Sequence, residues 1–179
     1  MRALGKLIGA ALMVAWATSG CGVVDRVLGS KSYTAASISM EPTIKDGERF
    51  SASLVGDDYV PKIGDIIVYR EPPAWRENPE DGEVTAVSRI IGTPGTSVEC
   101  CTSSGKIQVD GKPLDEPYAV GDTADFSFSA SVGSGRLWIM CDNRDSCLDS
   151  RTHQNKGAPG GGTIALSDVV GVVDRIGER

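Results

Sequence analysis

Short apolar stretches separated by turn residues run through most of this chain of 179 residues. Alternating or β-branched apolar runs favour strands, and the glycine, proline and aspartate residues between them favour turns. Little helical periodicity is visible after the first twenty or so residues. The pattern therefore predicts an all-β fold of coiled, barrel-like sheets, and the length suits one domain. The strand candidates are residues 49–55, 65–70, 84–91, 97–101, 106–109, 137–140 and 168–176.

A different pattern occupies the N-terminus. Arg2 and Lys6 precede an apolar run at 7–17, which is short for a membrane span, and small residues then lead to Cys21. This resembles a bacterial lipoprotein signal, although Thr18 stands where that signal usually has an aliphatic residue. Ordinary cleavage and an uncleaved anchor are the alternatives, and every one of these readings places the domain outside the cytoplasm.

These observations predict three segments. Residues 1–21 are a lipoprotein-type signal peptide that ends at the lipidated Cys21, residues 22–35 are a tether, and residues 36–179 are the folded domain. The diacylglycerol of a lipoprotein would hold the domain firmly at the extracytoplasmic face of the cell membrane.

Composition excludes some classes of function. The net charge is −6 and no cluster of Lys or Arg is present, which argues against nucleic-acid binding. Five cysteines with a single histidine fit no common zinc pattern, so no metal or cofactor is predicted. If Cys21 is lipidated, four cysteines remain, and in an oxidising compartment they can pair in three ways. A bond from Cys141 to Cys147 would close a short loop, whereas Cys100 and Cys101, adjacent on a strand, would face opposite ways.

The first candidate for chemistry is the segment 37–43, which reads Ser-Ile-Ser-Met-Glu-Pro-Thr. Ser37 and Ser39 are two positions apart, so on an extended chain their side chains point the same way. One hydroxyl could attack a carbonyl while the other helps to hold the developing oxyanion. The alternative interpretation is a Ser/Thr-rich loop with a turn-forming proline.

Four blocks of the sequence, at 37–43, 64–70, 87–95 and 140–151, resemble in order and spacing the boxes of bacterial type I signal peptidases. The resemblance extends from about residue 36 to residue 175. It implies a serine–lysine dyad peptidase on an all-β, LexA-like fold that cleaves exported preproteins at the membrane. That family removes signal peptides after small residues at the first and third positions before the cut. The implied partners are exported preproteins or their signal peptides, and the membrane.

The resemblance also implies roles for the matched residues. Ser39 is the nucleophile, and its backbone N–H and the Ser37 hydroxyl form the oxyanion hole. Ser88, immediately before Arg89, stands where the family has the lysine that takes the proton from the nucleophile. A serine hydroxyl has no lone pair of useful basicity, and a guanidinium does not deprotonate in proteins. The sequence therefore predicts a weak or inactive endopeptidase. Two alternatives remain: an inactive homologue that binds exported polypeptides or a partner peptidase, and a disulfide-stabilised lipoprotein with a purely structural role.

The fourth block departs from the family at two positions. Cys141 stands where the family usually has glycine, and Cys147 where it has the serine that hydrogen-bonds the lysine. His153 is close in sequence, but a lone histidine near a loop is more often structural than a replacement base. Seven further members of the block match the family and are expected to form a paired scaffold: Asp142, Asn143, Arg144, Asp145, Asp149, Ser150 and Arg151.

Overall fold

The computed structural model describes residues 29–80, 82–123 and 127–177. The predicted signal peptide, Cys21 and the first half of the predicted tether, residues 22–28, lie outside these residues. The helices within the described ranges are all too short or too polar to cross a bilayer. The strands are β1 (Ser30–Thr34), β2 (Arg49–Leu54), β3 (Ile66–Arg70), β4 (Thr85–Gly92), β5 (Ser97–Cys100), β6 (Gln108–Val109), β7 (Lys112–Pro113), β8 (Phe128–Ser131), β9 (Arg136–Met140), β10 (Ile164–Ala165) and β11 (Val169–Ile176). Helix α1 covers Ser150–Asn155, and short 3₁₀ turns cover Pro73–Trp75 and Leu166–Asp168.

The strands form two antiparallel sheets. The larger has the order β1-β2-β11-β3-β4-β9-β10, and the smaller has the order β7-β6-β5-β8. Register shifts interrupt β11 against both of its neighbours and β4 against β9. Such irregularities increase the local twist, so the large sheet curls. The predicted all-β fold is confirmed.

The middle of the large sheet is buried on both faces. Successive residues on a strand point to opposite faces, and β4 places Ile90 in one apolar cluster and Ile91 in another. The neighbouring strand does the same with Leu137 and Trp138. This is why these strands read as continuous apolar runs rather than as alternation. A further cluster, which includes Met40, lies beneath the segment that carries the paired serines.

The predicted tether overlaps the first strand. Residues 30–34 pair with β2 along their whole length, and the Tyr33 ring stacks on Phe50 with centroids 5.4 Å apart. The composition of this strand is polar because it lies at the edge of the sheet with most of its side chains exposed. Residues 30–34 of the predicted tether therefore form the edge strand of the large sheet.

Candidate active site

Ser39 lies in the loop that joins β1 to β2. The loop turns through a hydrogen bond from the Ile44 N–H to the Met40 carbonyl, at 2.9 Å, and both of these side chains are buried. A residue far along the chain holds the loop from the other side. The Asn143 backbone N–H donates to the Ser39 carbonyl at 2.9 Å, and its side-chain amide donates to the Ile38 carbonyl at 3.2 Å. The position of Ser39 is thus fixed by two segments that only the tertiary fold brings together.

The two serine hydroxyls lie side by side, as their spacing predicts. The Oγ atoms of Ser37 and Ser39 are 2.9 Å apart, and the Ser39 N–H donates to the Ser37 Oγ at 3.4 Å. Ser37 is exposed and Ser39 is half-buried. A backbone N–H and a hydroxyl therefore lie together beside the Ser39 oxygen, which is the set of donors that an oxyanion hole requires.

A cleft of about 430 Å³ opens beside Ser39. Its walls are residues 33–37 on one side, 85–88 of β4 on the other, and 146–148 at one end. The volume lies within the range of about 300–1,000 Å³ that is usual for binding sites. On one side, residues 85–88 of β4 pair with β3. On the other side, β9 pairs with β4 only from Arg89 onward, so within the described chain residues 85–88 have no strand partner there. The cleft thus has an open strand edge along one wall.

Ser88 is buried in this wall, with 2% of its surface exposed. Its Oγ lies 3.6 Å from the Cys141 Sγ, and its side chain is also in hydrogen-bond contact with Tyr69. Burial raises the pKa of Tyr69 well above its usual range, although the contact with Ser88 lowers it slightly. The polar neighbours of Ser88 are therefore a sulfur atom and a neutral phenol, and neither is a base at neutral pH.

The sulfur atoms of Cys141 and Cys147 lie within bonding distance of each other, with their Cα atoms 6.1 Å apart. The sulfur atoms of Cys100 and Cys101 also lie within bonding distance. This arrangement is one of the three pairings that the sequence left open. Ser88, Cys141 and Cys147 are thus in one place in the cleft wall. The sequence shows that each of the three departs from the family pattern, but it does not show that they touch.

No lysine, arginine or histidine is among the described residues that line the cleft. His153 lies on α1, where its ring stacks on Trp75 with centroids 3.9 Å apart. Burial lowers the pKa of His153, with a smaller contribution from the nearby Lys156. Lys45 is exposed and lies outside the cleft lining. Ser39 therefore has no basic nitrogen as a hydrogen-bond partner in the described structure.

Asp142 is fully buried and joins three segments of the chain. It accepts two hydrogen bonds from the Arg89 guanidinium, at 2.8 and 2.6 Å, and one from the Thr43 hydroxyl. The same guanidinium lies over the Tyr118 ring, 3.7 Å from its centroid. A two-point ion pair of this kind fixes orientation as well as distance. It connects β4 to the end of β9 and to the loop that carries Ser39.

Asp149 forms a second buried ion pair. Its carboxylate accepts from the Arg151 side chain at 2.9 and 3.0 Å, and from the Cys141 backbone N–H at 3.3 Å. Asp149 also caps the N-terminus of α1. The carboxylate and the sulfur atoms of Cys141 and Cys147 all lie within 4.8 Å of one another. Because the carboxylate is paired with Arg151 and the sulfur atoms face each other, these donors do not form an open metal site.

The remaining polar members of the fourth block are also bonded. The Ser150 Oγ accepts from the Ile139 N–H at 2.9 Å, and the Arg144 guanidinium pairs with Glu116 at 2.5 Å. Asp145 accepts from the backbone N–H of Asp122 at 2.8 Å. Each therefore ties the 141–151 segment to a neighbouring part of the fold.

The site that the structure defines is an open cleft beside two serine hydroxyls on an antiparallel β domain. The chain belongs to the signal peptidase, peptidase S26 family, whose model matches residues 1–176. The family predicted from the four blocks is thus confirmed.

The chain is 32% identical over 194 residues to a probable signal peptidase I from Mycobacterium leprae, a match that covers 79% of this chain and 66% of the relative. It is 29% identical over 187 residues to a signal peptidase I from Mycobacterium tuberculosis, covering 79% of this chain and 63% of the relative. The chain thus spans just under two thirds of the length of these relatives. A crystal structure of a signal peptidase I from Enterococcus faecalis V583 is similar with a TM-score of 0.47 and 24% identity, covering 65% of this chain and 98% of that one.

Proposed function

We propose that this protein is an exported, membrane-attached relative of signal peptidase I that binds extended segments of exported polypeptides and hydrolyses them weakly or not at all. Ser39 keeps the place of the nucleophile, and its N–H and the Ser37 hydroxyl keep the place of the oxyanion hole. One observation carries the proposal. The Ser39 hydroxyl is bonded only to Ser37 within the described structure, and the position of the missing base is a buried serine packed on sulfur.

The walls of the cleft support the binding of an extended chain. Residues 85–88 present an open strand edge, and residues 34–37 lie opposite. A peptide added to such an edge gains backbone hydrogen bonds, and pockets for alternate side chains give selectivity. The cleft is also bordered by the aromatic residues Tyr33, Phe50 and Tyr69 and by Ala35, Ala36 and Ala86. Segments with small residues at alternate positions, as in signal peptides, fit this description.

The loss of the base is a coupled change at three positions. Residues 88 and 141 line the cleft together with Ser39, and a glycine at 141 would place no side chain beside residue 88. In this chain the Cys141 sulfur is 3.6 Å from the Ser88 hydroxyl, so a longer side chain at 88 would meet it. Cys147, bonded to Cys141, also removes the hydroxyl that would hold the amine. General-base assistance is worth about 10²–10⁴-fold in rate, so hydrolysis without it is slow.

The remaining parts of the proposal concern location. The lipoprotein-like N-terminus supports export and attachment through a lipidated Cys21. The two close sulfur pairs support the same location, because disulfides persist outside the cytoplasm. A mass measurement of the mature N-terminus tests the anchor, and an unmodified Cys21 would reject it.

The proposed function is tested with the full-length protein and a preprotein that has alanine at the first and third positions before its cleavage site. We expect the preprotein to bind and to remain uncut over a period in which an active signal peptidase completes the reaction. Ala36→Phe, which fills the cleft from an exposed position, should abolish binding. The matched control Ala74→Phe, exposed and outside the cleft, should not. Rapid cleavage that is lost in Ser39→Ala would reject the inactive assignment, and absence of binding would reject the peptide-binding assignment.

A further inference from the structure

We propose that Cys141 and Cys147 form an exchangeable disulfide, which accepts a cysteine of the polypeptide bound in the cleft as a mixed disulfide at Cys147. This inference rests on the proposed binding of exported polypeptides in the same cleft. It adds a thiol–disulfide exchange activity to a site whose hydrolytic activity has lost its base.

The position of the disulfide brings it within reach of a bound chain. Cys141 follows directly after β9, Cys147 lies in the loop before α1, and both line the cleft together with Ser39. A disulfide elsewhere in the fold would meet only thiols that collide with it from solution. A disulfide in the wall of a peptide cleft meets the cysteine of a peptide already held there, at a high effective concentration.

The two sulfur atoms differ in access. Cys141 is 3% exposed, whereas Cys147 is half-buried and neighbours the exposed Leu148. Exchange requires a thiolate to approach one sulfur on the side away from the other, so access decides which sulfur is attacked. Of the two cysteines, Cys147 is therefore the one that a thiolate in the cleft can reach. Attack there makes Cys141 the leaving group.

The surroundings of Cys141 suit a leaving thiolate. The Ser88 Oγ is 3.6 Å from its sulfur and can donate its proton to a negative charge there. A hydrogen bond to the charged form lowers the pKa of a thiol, and a leaving group of lower pKa departs faster. Among the described residues, the carboxylate that lies close to both sulfur atoms is that of Asp149, and its charge is paired with Arg151. In this chain Ser88 can therefore stabilise the Cys141 thiolate that leaves during exchange.

The exchange balances without an external oxidant. The peptide thiolate forms a bond to the Cys147 sulfur, the Cys141–Cys147 bond breaks, and its electron pair leaves on Cys141, which takes up the proton lost by the peptide thiol. A second thiol of the peptide then attacks the peptide sulfur of the mixed disulfide and releases Cys147. Two peptide thiols have become a disulfide, and the disulfide of the protein has been reduced to two thiols.

The test uses the full-length protein and an alanine-rich peptide that carries two cysteines. With the peptide in its oxidised form, Cys141→Ser leaves the accessible Cys147 thiol free and should form a covalent adduct detectable by mass spectrometry. Cys147→Ser leaves only the buried thiol and should react at least about tenfold more slowly. The double variant Cys100→Ser/Cys101→Ser is a matched control outside the cleft lining. It keeps the Cys141–Cys147 pair, leaves no free thiol at 100 or 101, and should react with the reduced peptide at the wild-type rate. Wild-type protein quenched with acid during that reaction should carry the peptide on Cys147, which assigns the site without any substitution.

Binding is measured separately with a cysteine-free version of the peptide, labelled for fluorescence anisotropy. This version should slow the reaction of the cysteine peptide with wild-type protein and leave the reaction with mercaptoethanol unchanged. If it binds while the cysteine peptide reacts no faster than mercaptoethanol at equal thiol concentration, the exchange is overturned and peptide binding stands. If it does not bind, the proposed function itself fails, and the exchange fails with it. An adduct on Cys141 in place of Cys147 would also overturn the inference.

Discussion

Replacing Ser88 by lysine should not by itself restore a peptidase, whereas the same change combined with Cys141→Gly and Cys147→Ser should. In the single variant, the lysine side chain must fit at a position that is only 2% exposed. It would also meet the Cys141 sulfur, which lies 3.6 Å from the Ser88 hydroxyl oxygen. Overpacking of this kind costs about 1–3 kcal/mol. The triple variant removes the sulfur, restores the space above residue 141 and returns a hydroxyl that can hold the amine.

The energetic cost of the amine can be estimated from its burial. To accept a proton at neutral pH, the lysine must be uncharged, so its pKa must fall by about 3 units from its usual value. At about 1.36 kcal/mol per unit, this costs about 4–5 kcal/mol of stability. Loss of the short Cys141–Cys147 loop closure costs about 2 kcal/mol more. Domains of this size are stable by about 5–15 kcal/mol, so the triple variant should be folded at low temperature but much less stable.

The assay is cleavage of the preprotein, with the cut position identified by mass spectrometry. We expect the triple variant to cleave at least about 10²-fold faster than wild type, the lower end of general-base assistance. Ser88→Met in the same background has a side chain of similar length without an amine and should remain inactive. Ser39→Ala in the same background should also be inactive. Equal activity of the single and triple variants would show that the sulfur pair does not exclude the base, and brisk cleavage by wild type would refute the reasoning altogether.

Three further predictions concern stability and the loop that carries Ser39. Asn143→Ala removes the amide bond to the Ile38 carbonyl and should weaken peptide binding while lowering stability by about 1 kcal/mol, measured by anisotropy and urea unfolding; unchanged peptide affinity would show that this bond does not position the loop. Arg89→Met leaves the buried Asp142 carboxylate without its main partner and should lower the free energy of unfolding by about 3–5 kcal/mol, whereas Arg70→Met, which breaks an exposed pair, should change it by less than about 1 kcal/mol. Burial lowers the pKa of His153, so below about pH 6.5 the unfolded chain binds a proton that the folded chain does not. The free energy of unfolding of the wild type should therefore fall between pH 7 and 5, and that of His153→Phe should fall less. Urea titrations at each pH measure this difference, and equal losses in the two proteins would contradict it.

The sequence by itself determined the fold class, most of the strands and the family. Each of the seven strand candidates contains a strand, because period-two alternation and β-branched composition are local properties of the chain. The spacing of Ser37 and Ser39 likewise predicted adjacent hydroxyls, since two positions on an extended segment share a face. The elements that it missed are short or polar. Helix α1 has six residues, too few for a visible helical period, and β1 is an exposed edge strand with little apolar signal.

Only the tertiary structure decided what surrounds the serines. The contact between Ser88 and Cys141 joins a residue of β4 to the residue that directly follows β9, and the register of β4 against β9 places them together. The same register ends at Arg89 and leaves the edge that forms one wall of the cleft. His153 stacks on Trp75, outside the cleft lining, although the sequence places it two residues from the fourth block. Contacts of this kind depend on how distant strands align, and no local pattern of side chains encodes that alignment.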